Sequence, residues 1–107
     1  MAEIPKLSEV NFDSEVIQSV LPVIVDFTAV WCSPCKMLDP VVKQIADELT
    51  GRVKVVKLDV DDNPNLTMQY GVMGVPTLML FVNGSPAQRM TGYQPKDRII
   101  AKFASSI

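Results

Sequence analysis

The sequence predicts an α/β fold, a mixed sheet of five strands flanked by four helices, and three observations carry that prediction. The runs PVIVDFTAV (22–30) and TLMLFV (77–82) are almost wholly apolar and rich in β-branched residues, the composition of strands covered on both faces. Between them Leu38, Val41, Val42, Ile45 and Leu49 recur at the spacing of one helix face. Asn83-Gly84 is the strongest short signal for a hairpin turn.

Taken in order, residues 3–6 read as a short edge strand. Asn11 suits the N-cap of a helix over about residues 12–20, in which Phe12, Val16 and Val20 share a face. The strand 22–30 follows. The next helix begins at the cysteines. Pro40 lies inside it, removes one backbone hydrogen bond and should bend the axis, and Gly51 stands where a C-terminal stop belongs. VKVVKLDV (53–60) reads as a third strand. Asn63-Pro64 is a cap followed by a first-turn proline, and Gly71 ends that short helix. The strand 77–82 turns at Asn83-Gly84, and AQRMTG (87–92) returns antiparallel. Pro95 opens the last helix, with Ile99, Ile100 and Phe103 toward the core. The order is β-α-β-α-β-α-β-β-α. Right-handed crossovers make the early strands parallel with helices on both faces, and the hairpin adds an antiparallel edge.

A chain of 107 residues, 48% apolar and 21% charged, suits a single domain, residues 1–107, with a core that needs no disulfide staple. Net charge is −2 with acids and bases interspersed, so nucleic acid has no electrostatic footprint. No stretch approaches the length of a membrane span. The N-terminus, MAEIPKLSEV, lacks a basic segment followed by an apolar one, which points to a cytoplasmic protein; the mature form of a targeted precursor would read the same.

The chain's two cysteines lie three positions apart in WCSPCKM (31–37), at the exit of a buried strand. Reaction sites in open α/β sheets sit beyond the carboxyl ends of the strands. At a helix start the spacing puts Cys32 and Cys35 on one face, Cβ atoms roughly 5–6 Å apart, a modest adjustment from bonding. The closed loop is tiny, so such a bond stabilises little; it is a poor staple and a good switch. Unpaired N–H groups and the macrodipole favour an anion at the helix start, so Cys32 is expected to be the nucleophile. Pro34 is tolerated in the first turn, and Lys36 adds positive charge. Cys35, one turn further in, is expected to be less exposed and to stay protonated until it attacks the mixed disulfide and releases the target. A zinc site would need two more ligands, and the chain has no histidine and no second cysteine pair. A metal shared by two chains and a purely structural disulfide are the competing readings.

Asp26 interrupts the apolar run VIVDF. A carboxylate in a buried strand is costly, so it is usually paired, protonated or working. Burial raises its pKa. Asp26 is the candidate acid–base group for Cys35, directly or through a water. The alternative is that it pairs with a lysine, Lys57 on the neighbouring strand foremost, or caps a backbone group.

The motifs VDF, WC-x-PCKM, Pro40, KLDVD, YGV-x-GVPT, F-x-NG and Gly92 together resemble the thioredoxin family, over about residues 11–103. The resemblance implies a five-stranded sheet with four helices. It implies protein-disulfide reduction in which Cys32 attacks target disulfides, Cys35 resolves, and Asp26 with Lys57 assists proton transfer. It implies a cis Val75-Pro76 peptide facing the cysteines, with Val75 backbone groups pairing to an extended substrate segment. Trp31, Ser33, Pro34, Gly74, Val75, Pro76 and Gly92 are then the substrate-binding residues. The implied partners are disulfide-containing target proteins and a thioredoxin reductase, an NADPH-dependent flavoprotein, and the cycle needs no bound cofactor; nothing in the sequence demands more than a monomer.

The chain departs from the family pattern at three places. Cys-Ser-Pro-Cys replaces the usual Cys-Gly-Pro-Cys, and Ser33 is placed either to hydrogen-bond a sulfur or to stiffen the turn. Thr28 stands where tryptophan is frequent, which leaves Trp31 as the single tryptophan and an unambiguous redox reporter. Met73 brings an adaptable apolar side chain beside the docking loop. For Trp31 the competing reading is a core aromatic, and for Gly92 a packing or bulge glycine. Two other functions remain open on the same fold: an oxidase or isomerase of an exported compartment, and a thioredoxin-like binding module whose cysteines are incidental.

Overall fold

In the computed structural model, which describes residues 3–107, five strands form one sheet in the order β1-β3-β2-β4-β5. They are β1 (Lys6–Leu7), β2 (Val23–Thr28), β3 (Lys54–Asp59), β4 (Thr77–Val82) and β5 (Ser85–Thr91). β1, β3 and β2 are mutually parallel; β4 runs antiparallel to β2, and β5 antiparallel to β4. The helices are a π-helix (Asp13–Ile17), α1 (Ser33–Glu48), α2 (Pro64–Gln69) and α3 (Lys96–Ala104). The predicted element order is therefore observed.

The pleat of β2 sorts the core into two layers, because successive side chains point to opposite faces. Ile24 packs with Leu38, Val42 and Ile45 of α1 and with Ile99 and Phe103 of α3. Val23, Val25 and Phe27 face the other way, onto Phe12, Val16 of the π-helix and Leu66 of α2. Each such fully buried large side chain contributes about 1.5–3 kcal/mol. Asp26 has the parity of Ile24, so it points toward α1. Lys57 is its register partner on β3 and has the parity of Val55, a residue of the same layer.

The antiparallel β4 decides where the site forms. α2 has six residues, too short to return the chain the length of the sheet as a parallel crossover requires. The connection from β3 to β4 instead begins and ends at one rim of the sheet. Thr77 pairs with Phe27, so residues 74–76 lie at the carboxyl end of β2, where α1 starts.

Several boundaries differ from expectation. The edge strand lies at Lys6–Leu7 rather than 3–6: Ile4 is drawn into the core, and pairing starts where Pro5, which has no N–H, accepts from Lys57 N–H at 2.9 Å. The first helix covers Asp13–Ile17, not 12–20, and Val20 is exposed. Pro22 disfavours helical backbone just before it, and the turn closes with Ser19 Oγ donating to Leu21 O. Asn11 does not cap that helix; its Oδ1 accepts the Ser8 N–H at 2.8 Å. Asn63 likewise makes no side-chain cap for α2, although Pro64 takes the first-turn position as expected. Its buried amide instead donates to Asp59 O and accepts from Glu9 N–H. Gly51 takes a left-handed φ two residues beyond the α1 cap Leu49, and Pro95 is the N-cap of α3 rather than its first residue. β5 starts at Ser85, with a register shift at Leu80/Phe81.

The hairpin forms as predicted, with φ of 52° at Asn83 and 81° at Gly84, the two left-handed positions of a type I′ turn. Gly84 has a second reason to be glycine: an added Cβ would lie 2.6 Å from the Ile17 carbonyl oxygen. Gly84→Ala is therefore expected to lower stability by about 1–3 kcal/mol, read as a lower urea midpoint at unchanged slope. A midpoint within error of the parent would show that the hairpin tip does not need this close approach.

Candidate redox site

α1 is capped by a sulfur. Cys32, with extended backbone (φ −93°, ψ 110°), is the N-cap, and its Sγ accepts the Cys35 N–H at 3.2 Å. Aspartate or serine oxygens usually fill this role toward the third helical residue. Ser33 and Pro34 are exposed in the first turn, where the missing proline N–H costs nothing. The Cα atoms of Cys32 and Cys35 are 5.3 Å apart and the pair forms a disulfide. In this oxidised form both cysteines are only 4% exposed, so the expected difference in exposure is not present. Their surroundings distinguish them instead. Cys35 lines a cavity of about 280 Å³ beneath the start of α1, together with Asp26, and Cys32 does not.

Asp26 is 4% exposed, and its Oδ1 has no hydrogen-bond partner. Its pKa is pushed up to about 7, chiefly by burial and further by the negative charge of Asp39; Lys57 pulls it the other way. Among the described residues Asp26 closes no salt bridge. Lys57 reaches it through the field across the cavity rather than by contact. The same cavity is lined by Lys6, Lys36, Asp39 and Asp59, none of which sequence reasoning had assigned to the site except Lys36 as a nearby charge. Asp39 had a readable signal: it lies four residues after Cys35, the same helix face one turn on. Lys6 and Asp59 had none, since only strand register brings them here.

On the other side of the disulfide the chain enters β4 through a cis Val75-Pro76 peptide, as expected. Val75 packs against the buried cluster of Ala29, Cys32 and Cys35. Pro76 is buried and its carbonyl accepts the Gly92 N–H at 2.8 Å; Thr77 Oγ1 donates to Gly74 O at 2.7 Å. Gly92 has φ +90°, and an added Cβ there would meet open space. Trp31 is 65% exposed and so is not a core aromatic; its Nε1 donates to Asp61 Oδ2 at 2.7 Å. Asp61 is held in turn by Asp59 Oδ1, which accepts its N–H at 2.8 Å. A shallow hollow of about 150 Å³ separates Trp31 from Val75, with Met73, fully exposed, on its rim. The structure thus brings Trp31, Gly74 and Val75 together around one hollow beside the cysteines, with Ser33 and Pro34 exposed on the first turn of α1 and Gly92 bonded to the buried Pro76.

The family model for thioredoxin matches residues 3–105. The chain is 45% identical over 101 residues to a thioredoxin of Rickettsia felis, covering 94% of this chain and 96% of that protein. It is 47% identical over 96 residues to a thioredoxin of Synechocystis, 90% of each chain. A thioredoxin of Alicyclobacillus acidocaldarius is 46% identical over 98 residues, 92% of each. The chain belongs to the thioredoxin family.

It is accordingly a protein dithiol–disulfide oxidoreductase that reduces disulfides in target proteins through the Cys32–Cys35 couple. Thioredoxins carry no bound cofactor beyond this redox-active disulfide, and the family works with disulfide-containing targets and with thioredoxin reductase. Among the described residues no helix is long and apolar enough to cross a membrane.

Proposed function

We propose that Cys32 is the nucleophile, Cys35 the resolving thiol and Asp26 the group that moves the proton at Cys35, with Lys57 tempering the rise in the Asp26 pKa. The observation that carries this reading is the shared cavity: Cys35 and Asp26, whose buried Oδ1 has no hydrogen-bond partner, line one space with room for several waters. The Cys32 thiolate at the start of α1 attacks one sulfur of a target disulfide, forming a mixed disulfide and expelling the target's other sulfur as thiolate. The Asp26 carboxylate then takes the Cys35 proton. Cys35 sulfur attacks Cys32 Sγ, the mixed disulfide breaks, and the reduced target leaves. The cysteines become the disulfide and two electrons pass to the target.

Asymmetry between the two cysteines supports the assignment. Cys32 Sγ accepts a backbone N–H at a helix N-terminus, an arrangement that favours thiolate. Cys35 stands among ionisable groups that can hold its proton. Trp31, Ser33, Pro34, Gly74, Val75, Pro76 and Gly92 form the docking surface, on which the Val75 backbone pairs with an extended target segment. Electrons return from NADPH through a flavoprotein reductase. The chain works as a single domain and a monomer in the cytoplasm.

The test is the reduction potential of the couple, followed by Trp31 fluorescence in defined thiol buffers. A value near the family's benchmark of about −270 mV is expected for a reductant that tolerates Ser33. A value above about −200 mV would move the assignment to oxidation or isomerisation. A pair that never responds to thiol would end the catalytic reading.

A further inference from the structure

We propose that Asp39 is a positioning residue for target release: from the turn of α1 that follows Cys35, its carboxylate opposes ionisation of Asp26 across the shared cavity and so sets the pH at which Cys35 gives up its proton. The inference rests on Asp26 acting as proposed above.

The geometry begins with helix register. Cys35 and Asp39 are separated by four residues on α1 and both line the cavity into which Asp26 points. Asp39 is fixed there by Lys43, whose Nζ lies 3.2 Å from its Oδ2. Asp26 approaches from β2 and is unpartnered at Oδ1, so no hydrogen bond holds its proton in place or its charge apart from the field. The charged groups around it come from every packed element: Lys6 from β1, Lys36 and Asp39 from α1, Lys57 and Asp59 from β3. Its β4 neighbour, Leu78, is apolar. The three lysines oppose the two other aspartates, and of those two only Asp39 acts on Asp26 strongly enough to rank as a cause of its raised pKa, behind burial and ahead of the opposing pull of Lys57. Asp59 is otherwise engaged, since its Oδ1 accepts the N–H groups of Asp61 and Asp62.

Lys43 makes the arrangement adjustable in both directions. Removing the Asp39 charge relieves Asp26 and lets it ionise at lower pH. Removing Lys43 strips Asp39 of its counter-charge and strengthens its hold on Asp26. A partly exposed ion pair serving only helix stability would not change the titration of a buried acid on another element.

The experiment follows the Asp26 carboxyl carbon by NMR through a pH titration of the reduced protein. In parallel it follows the pH dependence of target release from a preformed Cys32 mixed disulfide, by Trp31 fluorescence. With Asp39→Asn both midpoints are expected to fall by about half a pH unit. With Lys43→Gln both should rise, and Asp39→Glu should restore the parent values. In an Asp26→Asn background Asp39→Asn should leave the release profile unchanged. An Asp26 midpoint that stays fixed in Asp39→Asn overturns the inference whatever the rates do. A midpoint that moves while the release profile does not removes Asp26 as the base at Cys35, and the inference falls with it.

Discussion

Cys35→Ser is expected to reduce steady-state disulfide reduction by roughly 10³-fold or more and to accumulate the protein as covalent mixed disulfides with its targets. The first step survives, because Cys32 keeps its place at the N-cap of α1. The second does not. Cys35 sits with its Cα 5.3 Å from that of Cys32, and its sulfur can bond to Cys32 Sγ directly. Intramolecular attack of this kind enjoys effective molarities on the order of 10⁵ M, which millimolar external thiol cannot match. A serine hydroxyl has no comparable nucleophilicity toward sulfur. The trapped species is read by non-reducing electrophoresis and intact mass, and reductant should release it. Cys32→Ser should trap nothing. Parental turnover in Cys35→Ser would show that another group resolves the intermediate.

Asp26→Asn is expected to slow target release at pH 7, on the order of a hundredfold, and to erase the rise in rate centred near pH 7. The gap should narrow well above neutrality, where the thiol ionises without help. The same substitution should stabilise the fold, and the sign follows from linkage. The native pKa of Asp26 is about 7 and its ordinary value is 3.8, so the native state holds the proton more tightly than the unfolded chain does. Between about pH 4 and 7 the unfolded chain releases that proton and the native chain keeps it, so stability falls as pH rises through this window. Above pH 7 the full penalty is present, at most on the order of 4 kcal/mol. An asparagine at this position cannot ionise, so the variant should match the parent near pH 4 and exceed it by a few kcal/mol at pH 8 in urea unfolding. Part of the ceiling is lost because the new amide is also buried. Equal pH dependence of stability in parent and variant would show that Asp26 is not destabilised by its burial. The stability that the parent forgoes is the counterpart of an acid poised near neutrality, as active sites commonly require.

Helices and strands were legible because hydrophobic period is a local property. The β2 and β4 runs, the α1 stripe and the Asn83-Gly84 turn all formed where their patterns stand. Element ends were less legible, since they depend on which polar groups find partners in three dimensions. Asn11 and Asn63 look like caps in sequence, yet both spend their side chains tying neighbouring loops. Val20 kept the helical spacing, but the chain had already turned toward Pro22.

The sequence by itself determined that this protein carries a paired-thiol switch at the start of a helix, behind a buried strand with one acid in it. Spacing and period are sufficient for that, because both act within a few residues. Only the tertiary structure decided what the acid faces. The parity of β2 turns Asp26 toward α1, the parallel register sets Lys57 beside it, and the helix turn after Cys35 brings Asp39 across the cavity. It also decided that Trp31 stands in solvent, held by Asp61, rather than in the core. These outcomes depend on charges and surfaces that meet across long sequence separations. Electrostatic coupling follows distance in space, and the chain's order alone does not contain that distance.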